Sequence, residues 1–128
     1  MWKGDIEKKT IQNTAYRRVI KTTPQLQLVL MSLPARSDIH KERHIGVTQF
    51  IRVEKGHGQA IIAGKRYTLK DGDAVVIPPQ TWHRIVNKGK TPLKLYTIYS
   101  PPQHKPGLVQ RNRPENDIVC SGKLSYLE

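Results

Sequence analysis

The sequence predicts an all-β domain, closed as a sandwich or barrel, with a C-terminal tail. Three observations carry that prediction. Short runs rich in Val, Ile, Thr and Tyr recur roughly every ten residues. Gly, Pro, Asn and Asp, the residues of tight turns, stand between them. Helical periodicity is almost absent across the 128 residues.

At that length one core buries roughly two-thirds of the unfolded surface, enough for a single domain without staples. The expected division is a barrel over 1–102, N-terminal strands included, and an extension over 103–128. The extension packs outside the barrel or is partly disordered, with a short element near 124–127. Taken in order, strands are expected at 16–21, around Val19-Ile20, and at 26–32, around Leu28-Val29-Leu30-Met31. That second run is the longest aliphatic stretch, far short of the roughly 20 residues of a membrane span. Further strands are expected at 39–44, 49–54, 58–62, 65–69, 74–77, 83–87 and 93–99. Ala63-Gly64 reads as a hairpin turn between two of them. Lys70-Asp71-Gly72-Asp73 and Asn87-Lys88-Gly89-Lys90 read as two more tight turns. Pro101-Pro102 ends the last strand, because proline cannot donate to a ladder.

Composition narrows the functional classes. Twenty-two Lys and Arg against ten Asp and Glu give a formal charge of +12. Such a balance attracts polyanions or phosphorylated small molecules. The basic residues are scattered singly or in pairs, however, with no interleaved aromatics, so nucleic-acid binding is not the expectation. The lone Cys120 cannot close an intramolecular disulfide. With no apolar signal-like stretch at the charged N-terminus, a cytoplasmic protein is expected. Phosphate loops, GxSxG elbows and CxxC pairs are all missing from the sequence.

Chemistry concentrates around the histidines. On an extended strand, side chains at i, i+2 and i+4 share one face, which groups His40, Glu42 and His44. Gln49 opens the next strand, and His83 opens another far along the chain. Oxygen and nitrogen donors converging inside a barrel would suit a borderline divalent metal. His57, in a turn, and His104, beyond the prolines, read as exposed. Tyr67, Tyr96 and Tyr99 read as sheet residues with wet tips, and Trp82 should face away from His83.

The stretch Gly72-Asp73-Ala74-Val75-Val76-Ile77-Pro78-Pro79-Gln80-Thr81-Trp82-His83-Arg84-Ile85-Val86-Asn87 resembles the second motif of the cupin superfamily. Every spacing matches, with Gln80 where the family usually has glycine. The first motif is matched in spacing by Glu42-x-His44, Gln49 and Gly56, with two ligand identities changed and Arg36 at an expected glycine. The resemblance spans residues 26 to 100. It is nearest to small single-domain cupins with ExH, Gln and a segment like Lys94-Leu95-Tyr96-Thr97-Ile98-Tyr99-Ser100-Pro101-Pro102.

The resemblance implies a double-stranded β-helix, or jelly-roll, barrel. It implies one divalent metal ion (Fe, Mn, Ni or Zn) on Glu42, His44, Gln49 and His83. The strand face that His40 shares with Glu42 and His44 offers a His40, His44, His83 set as the alternative. Gln49, where relatives carry Glu, removes one negative charge from the site. The expected function is a metal-dependent enzyme on a small polar, anionic or sugar-like substrate, an isomerase, epimerase or dioxygenase. The alternative is a non-catalytic small-molecule-binding module. Isomerase chemistry needs a proton-transfer group, for which His40 is the nearest sequence candidate. A homodimer built through the strand-like segment 2–21 is the family expectation.

Overall fold

The computed structural model describes residues 1–114, so Cys120 and the element expected at 124–127 lie outside the described residues. The elements run α1 (Ile6–Gln12), β1 (Arg17–Thr22), β2 (Gln27–Leu33), β3 (Asp38–Glu42), β4 (Thr48–Lys55), β5 (His57–Ile62), β6 (Lys65–Lys70), β7 (Ala74–Ile77), β8 (His83–Asn87), β9 (Leu93–Ser100) and β10 (Val109–Gln110). Two antiparallel sheets form, ordered β10-β1-β2-β9-β4-β7 and β3-β8-β5-β6. They face each other as a jelly-roll barrel. No helix among the described residues is long and apolar enough to cross a membrane.

The core lies between the sheets, where alternate residues point inward. β9 alternates cleanly, burying Leu93, Leu95, Thr97 and Tyr99. β2, flanked by β1 and β9 and covered on both faces, buries every residue. Ala63 and Gly64 have φ of 49° and 81°, the double positive φ of a tight hairpin turn. At Gly58 the two strands approach closely. A Cβ there would stand 2.1 Å from the Val86 carbonyl oxygen, which leaves room only for glycine.

Two elements differ from the sequence expectation. Residues 6–12, within the segment read as strand-like, form a helix. Asp5 caps it by accepting from the Lys8 backbone N–H at 3.1 Å. Its buried Thr10 packs it over β9, β4 and β2, and that tertiary packing stabilises a helix too short to form alone. The second difference is β10, which lies in the extension and adds to β1 through Arg17↔Gln110 and Arg18↔Val109. Pairing there needs a distant edge strand, which local pattern does not encode.

Candidate metal centre

β3 ends on Glu42, and Glu42 stands directly across the ladder from His83, the first residue of β8. His44 follows two residues on, just before a turn in which Gly46 takes a φ of 74°. Glu42, His44 and His83 are 1%, 2% and 2% exposed. His44 Nε2 lies 3.3 Å, and His83 Nε2 3.4 Å, from the same oxygen, Glu42 Oε1. One nitrogen or oxygen of each of the three side chains lies within 4.8 Å of the others, a group that could hold a metal ion.

The hydrogen bonds around this cluster are one-sided. His83 Nδ1 is 2.9 Å from the Thr81 carbonyl, which can only accept. In the neutral ring Nδ1 therefore carries the proton and Nε2 presents a lone pair inward, the arrangement of a metal-ligating histidine. Glu42 Oε2, His44 Nδ1, Gln49 Oε1 and His83 Nε2 are buried with no hydrogen-bond partner among the described residues. Each such atom costs about 1–3 kcal/mol if left unpaired. Burial pushes the Glu42 carboxyl up, but hydrogen bonds and charge from His44 and His83 outweigh it and hold the group well below the usual carboxylate range. Glu42 is thus an anion facing two imidazole nitrogens. Two imidazoles, one carboxylate and bare buried oxygens fit a divalent metal ion.

Gln49 sits on β4, paired with Ile77 on β7 and Tyr99 on β9. Its Nε2 donates to Thr97 Oγ1 at 3.0 Å, which orients the amide and leaves Oε1 bare. His40 is elsewhere. A register shift between Ile39 and Glu42 breaks the two-residue alternation, so Ile39 and Glu42 both face inward and His40 does not. His40 Nδ1 accepts from Arg113 Nη2 at 2.9 Å and Nε2 meets the Pro114 carbonyl at 2.8 Å.

Two site neighbours differ from the sequence expectation. Tyr99 is 1% exposed, its ring edge-on to His44 at 5.5 Å between centroids. His104 is 8% exposed and meets Tyr99 edge-on at 5.2 Å. The alternation of β9 carried the signal for Tyr99, two residues beyond Thr97 and four beyond Leu95. No sequence pattern pointed to His104. His57 is exposed, as expected. Trp82 faces away from the cluster, with the Arg43 guanidinium 5.0 Å and the Lys41 ammonium 5.4 Å from its ring centroid. A cleft of about 440 Å³ touches His83, Trp82 and Lys41. It lies on the outer face of the sheet, because its Ile61 and Arg84 are a register pair between Ala60↔Ile85 and Ile62↔His83, whose Ala60, Ile85 and His83 are buried inward.

The family model described as "Cupin domain" matches residues 29–99, more than half of the chain. This chain belongs to the cupin family. It is 46% identical over 117 residues to an uncharacterized protein of Acanthamoeba polyphaga mimivirus, covering 88% of this chain and 72% of that one. It is 38% identical over 117 residues to the uncharacterized protein YrkC of Bacillus subtilis, covering 87% of this chain and 63% of that one. The chain therefore spans less than two thirds of the Bacillus protein. A crystal structure from Bacillus halodurans superposes with a TM-score of 0.85 at 40% identity, covering 86% of this chain and 88% of that one.

The departures from the cupin motifs are absorbed by the backbone. Arg36 and Gln80 stand where glycines are expected, and both keep a φ of 62°, in the left-handed region that glycine favours. Gln80 also donates its backbone N–H to the His44 carbonyl at 2.8 Å, tying the second motif to the first. Asn87, the final motif residue, is structural. Its amide nitrogen reaches the carbonyls of Leu33, Pro34 and Thr91 at 3.0, 3.0 and 2.9 Å, and its oxygen accepts from Gly89 N–H at 2.8 Å.

Proposed function

We propose that this cupin is a metal-dependent enzyme acting on a small polar, anionic molecule. The observation that carries the reading is the set of bare buried donors around Glu42, with His83 oriented by the Thr81 carbonyl so that Nε2 has nothing else to bind. Glu42, His44 and His83 would hold the ion, with Gln49 Oε1 as the neutral fourth donor. When bound, such an ion supplies Lewis acidity that polarises a carbonyl or enediol oxygen.

The residues themselves set the charge and dryness of the site. Glu42 contributes one negative charge and the other three donors none, so a divalent ion leaves the site with a net positive charge. That excess, and the chain's formal +12, favour an anionic substrate such as a sugar phosphate. Tyr99, edge-on to His44, and Ile77 and Thr97, beside Gln49, are buried around the site, and such low-dielectric surroundings strengthen each interaction inside.

Elemental mass spectrometry on the purified, untagged protein tests this reading. About one equivalent of iron, manganese, nickel or zinc per chain is expected, lost in a Glu42→Ala variant. Turnover of a panel of sugar phosphates by the loaded protein is the second expected outcome. A chain that stays empty after these metals are offered overturns the metal reading.

A further inference from the structure

After β9 the chain turns back into the barrel, and Gln27 on β2 commits its entire side chain to holding it there. Gln27 Oε1 accepts from the backbone N–H of Gln103 at 3.1 Å and of His104 at 2.9 Å. Its Nε2 donates to the His104 carbonyl at 2.7 Å and to Thr22 Oγ1 at 2.9 Å. Gln27 is fully buried, and every polar atom of its amide is used. This clamp fixes the backbone at residue 104 and turns its side chain inward.

The imidazole of His104 is 8% exposed, and its Nε2 is buried with no hydrogen-bond partner among the described residues. Tyr99 bridges it to the metal centre, edge-on to His104 at 5.2 Å and to His44 at 5.5 Å. A side chain with a packing task alone would fill this space without a bare nitrogen, whose burial is costly. Three charged or titratable groups act on it from the surrounding elements: Arg17 on β1, Glu42 at the end of β3, and His44 beyond it. Burial first, then Arg17 and His44, lower its proton affinity, and Glu42 opposes them. The net result lies well below the usual histidine value. At neutral pH the ring is therefore neutral and able to accept.

The geometry points to His104 as the proton acceptor of the barrel site, the group that takes a proton from a small acidic molecule held at the Glu42, His44 and His83 cluster. This rests on the metal reading of that cluster and gives it a reaction class, proton transfer as in an isomerase or epimerase. In the step, an O–H or activated C–H bond of the ligand breaks and its electron pair stays on the ligand. The proton bonds to His104 Nε2, and the imidazolium so formed is balanced by the negative charge left on the ligand. Returning that proton to a different atom of the ligand completes an isomerisation with no other reactant.

The test uses the full chain loaded with zinc and acetohydroxamic acid as the probe, a small chelator that gives up a proton on binding. Calorimetry in buffers of different ionisation enthalpy counts the protons released. In the wild type the proton stays on the protein, and well under half a proton should be released per probe bound. His104→Gln and His104→Phe should each release about one, with zinc stoichiometry unchanged. Nitrogen NMR of the wild-type rings should show His104 Nε2 gaining a proton as probe is added, a readout that needs no variant. Equal proton counts with an unmoved His104 resonance overturn the proposal. Zinc-loaded protein that takes no hydroxamate overturns it too, while leaving the metal reading intact. A wild-type chain that takes no zinc overturns the metal reading itself.

Discussion

His83 and Asn87 stand at opposite ends of the five-residue strand β8, 2% and 1% exposed, and treat their polar atoms in opposite ways. Asn87 spends all of its amide on carbonyls and an N–H of the surrounding loops. His83 spends one nitrogen on Thr81 and leaves the other bare against a carboxylate. Burial is the same, so burial does not separate structure from function here. Hydrogen-bond completeness does. A buried polar group with every atom satisfied holds the fold, and one with an atom left over is waiting for something the fold does not supply.

The contrast is broken most directly at His83. His83→Ala removes one of three clustered donors, and divalent-metal affinity should fall at least about 100-fold, or roughly 2.7 kcal/mol, more than the loss of an outer-shell partner brings. Chelator should lower the melting temperature of metal-loaded wild type, since ligand at about 100 times its Kd contributes about 2.7 kcal/mol. The same chelator should leave the His83→Ala melt unmoved. Calorimetric titration with zinc checks the first point, and wild-type affinity in the variant would remove His83 from the site.

Asn87→Ala should do the reverse. It strips partners from the carbonyls of Leu33, Pro34 and Thr91 and from Gly89 N–H, and should destabilise the protein by about 2 kcal/mol in urea unfolding. Metal stoichiometry at saturation should stay that of the wild type. A variant of normal stability that no longer takes metal would mean that the two ends of β8 do not divide their labour as argued.

Gln49→Glu sharpens the comparison on a neighbouring strand. Gln49 is half satisfied, donating to Thr97 while Oε1 stays bare. A carboxylate there adds one negative charge to the site, and divalent-metal affinity should rise by about tenfold, or 1.4 kcal/mol. Unchanged or weaker binding would show that Gln49 Oε1 does not face the ion.

Much of this was legible in the sequence because its causes are local. Strand runs and the Ala63-Gly64 turn depend on alternation or turn chemistry within a few residues, and Glu42, His44, Gln49 and His83 were read from their positions in two motifs that resemble those of cupins. What was missed depends on distant partners. His40 lies in phase with Glu42 by counting, and only the irregular pairing of β3 with β8 puts it out of phase. Residues 6–12 carry a cap but too few apolar residues to announce a helix, and the sheet beneath supplies the rest. His104 is turned inward by Gln27, 77 residues earlier, and no local pattern marks that clamp. The two ends of β8 were equally visible as motif positions. Their opposite roles were not, because hydrogen-bond completeness is a property of the folded surroundings.

The smallest expected effect concerns the turn that leads into His83. Gln80 holds a φ of 62° where glycine would sit at no steric cost. For a residue with a Cβ that conformation costs roughly 1–2 kcal/mol. Glycine, on the other hand, gives the unfolded chain more freedom and loses roughly 0.5–1 kcal/mol in doing so. The two oppose each other, and the side chain of Gln80 is exposed. Gln80→Gly should therefore stabilise the protein by about 0.5 kcal/mol, read as a small rise in the urea midpoint with an unchanged slope. The backbone bond from residue 80 to the His44 carbonyl needs only an N–H, so metal affinity should not move. A clear loss of stability would mean that the Gln80 side chain holds the turn itself. A change in affinity alone would mean that the turn, and not only the Thr81 carbonyl, sets the direction in which His83 points.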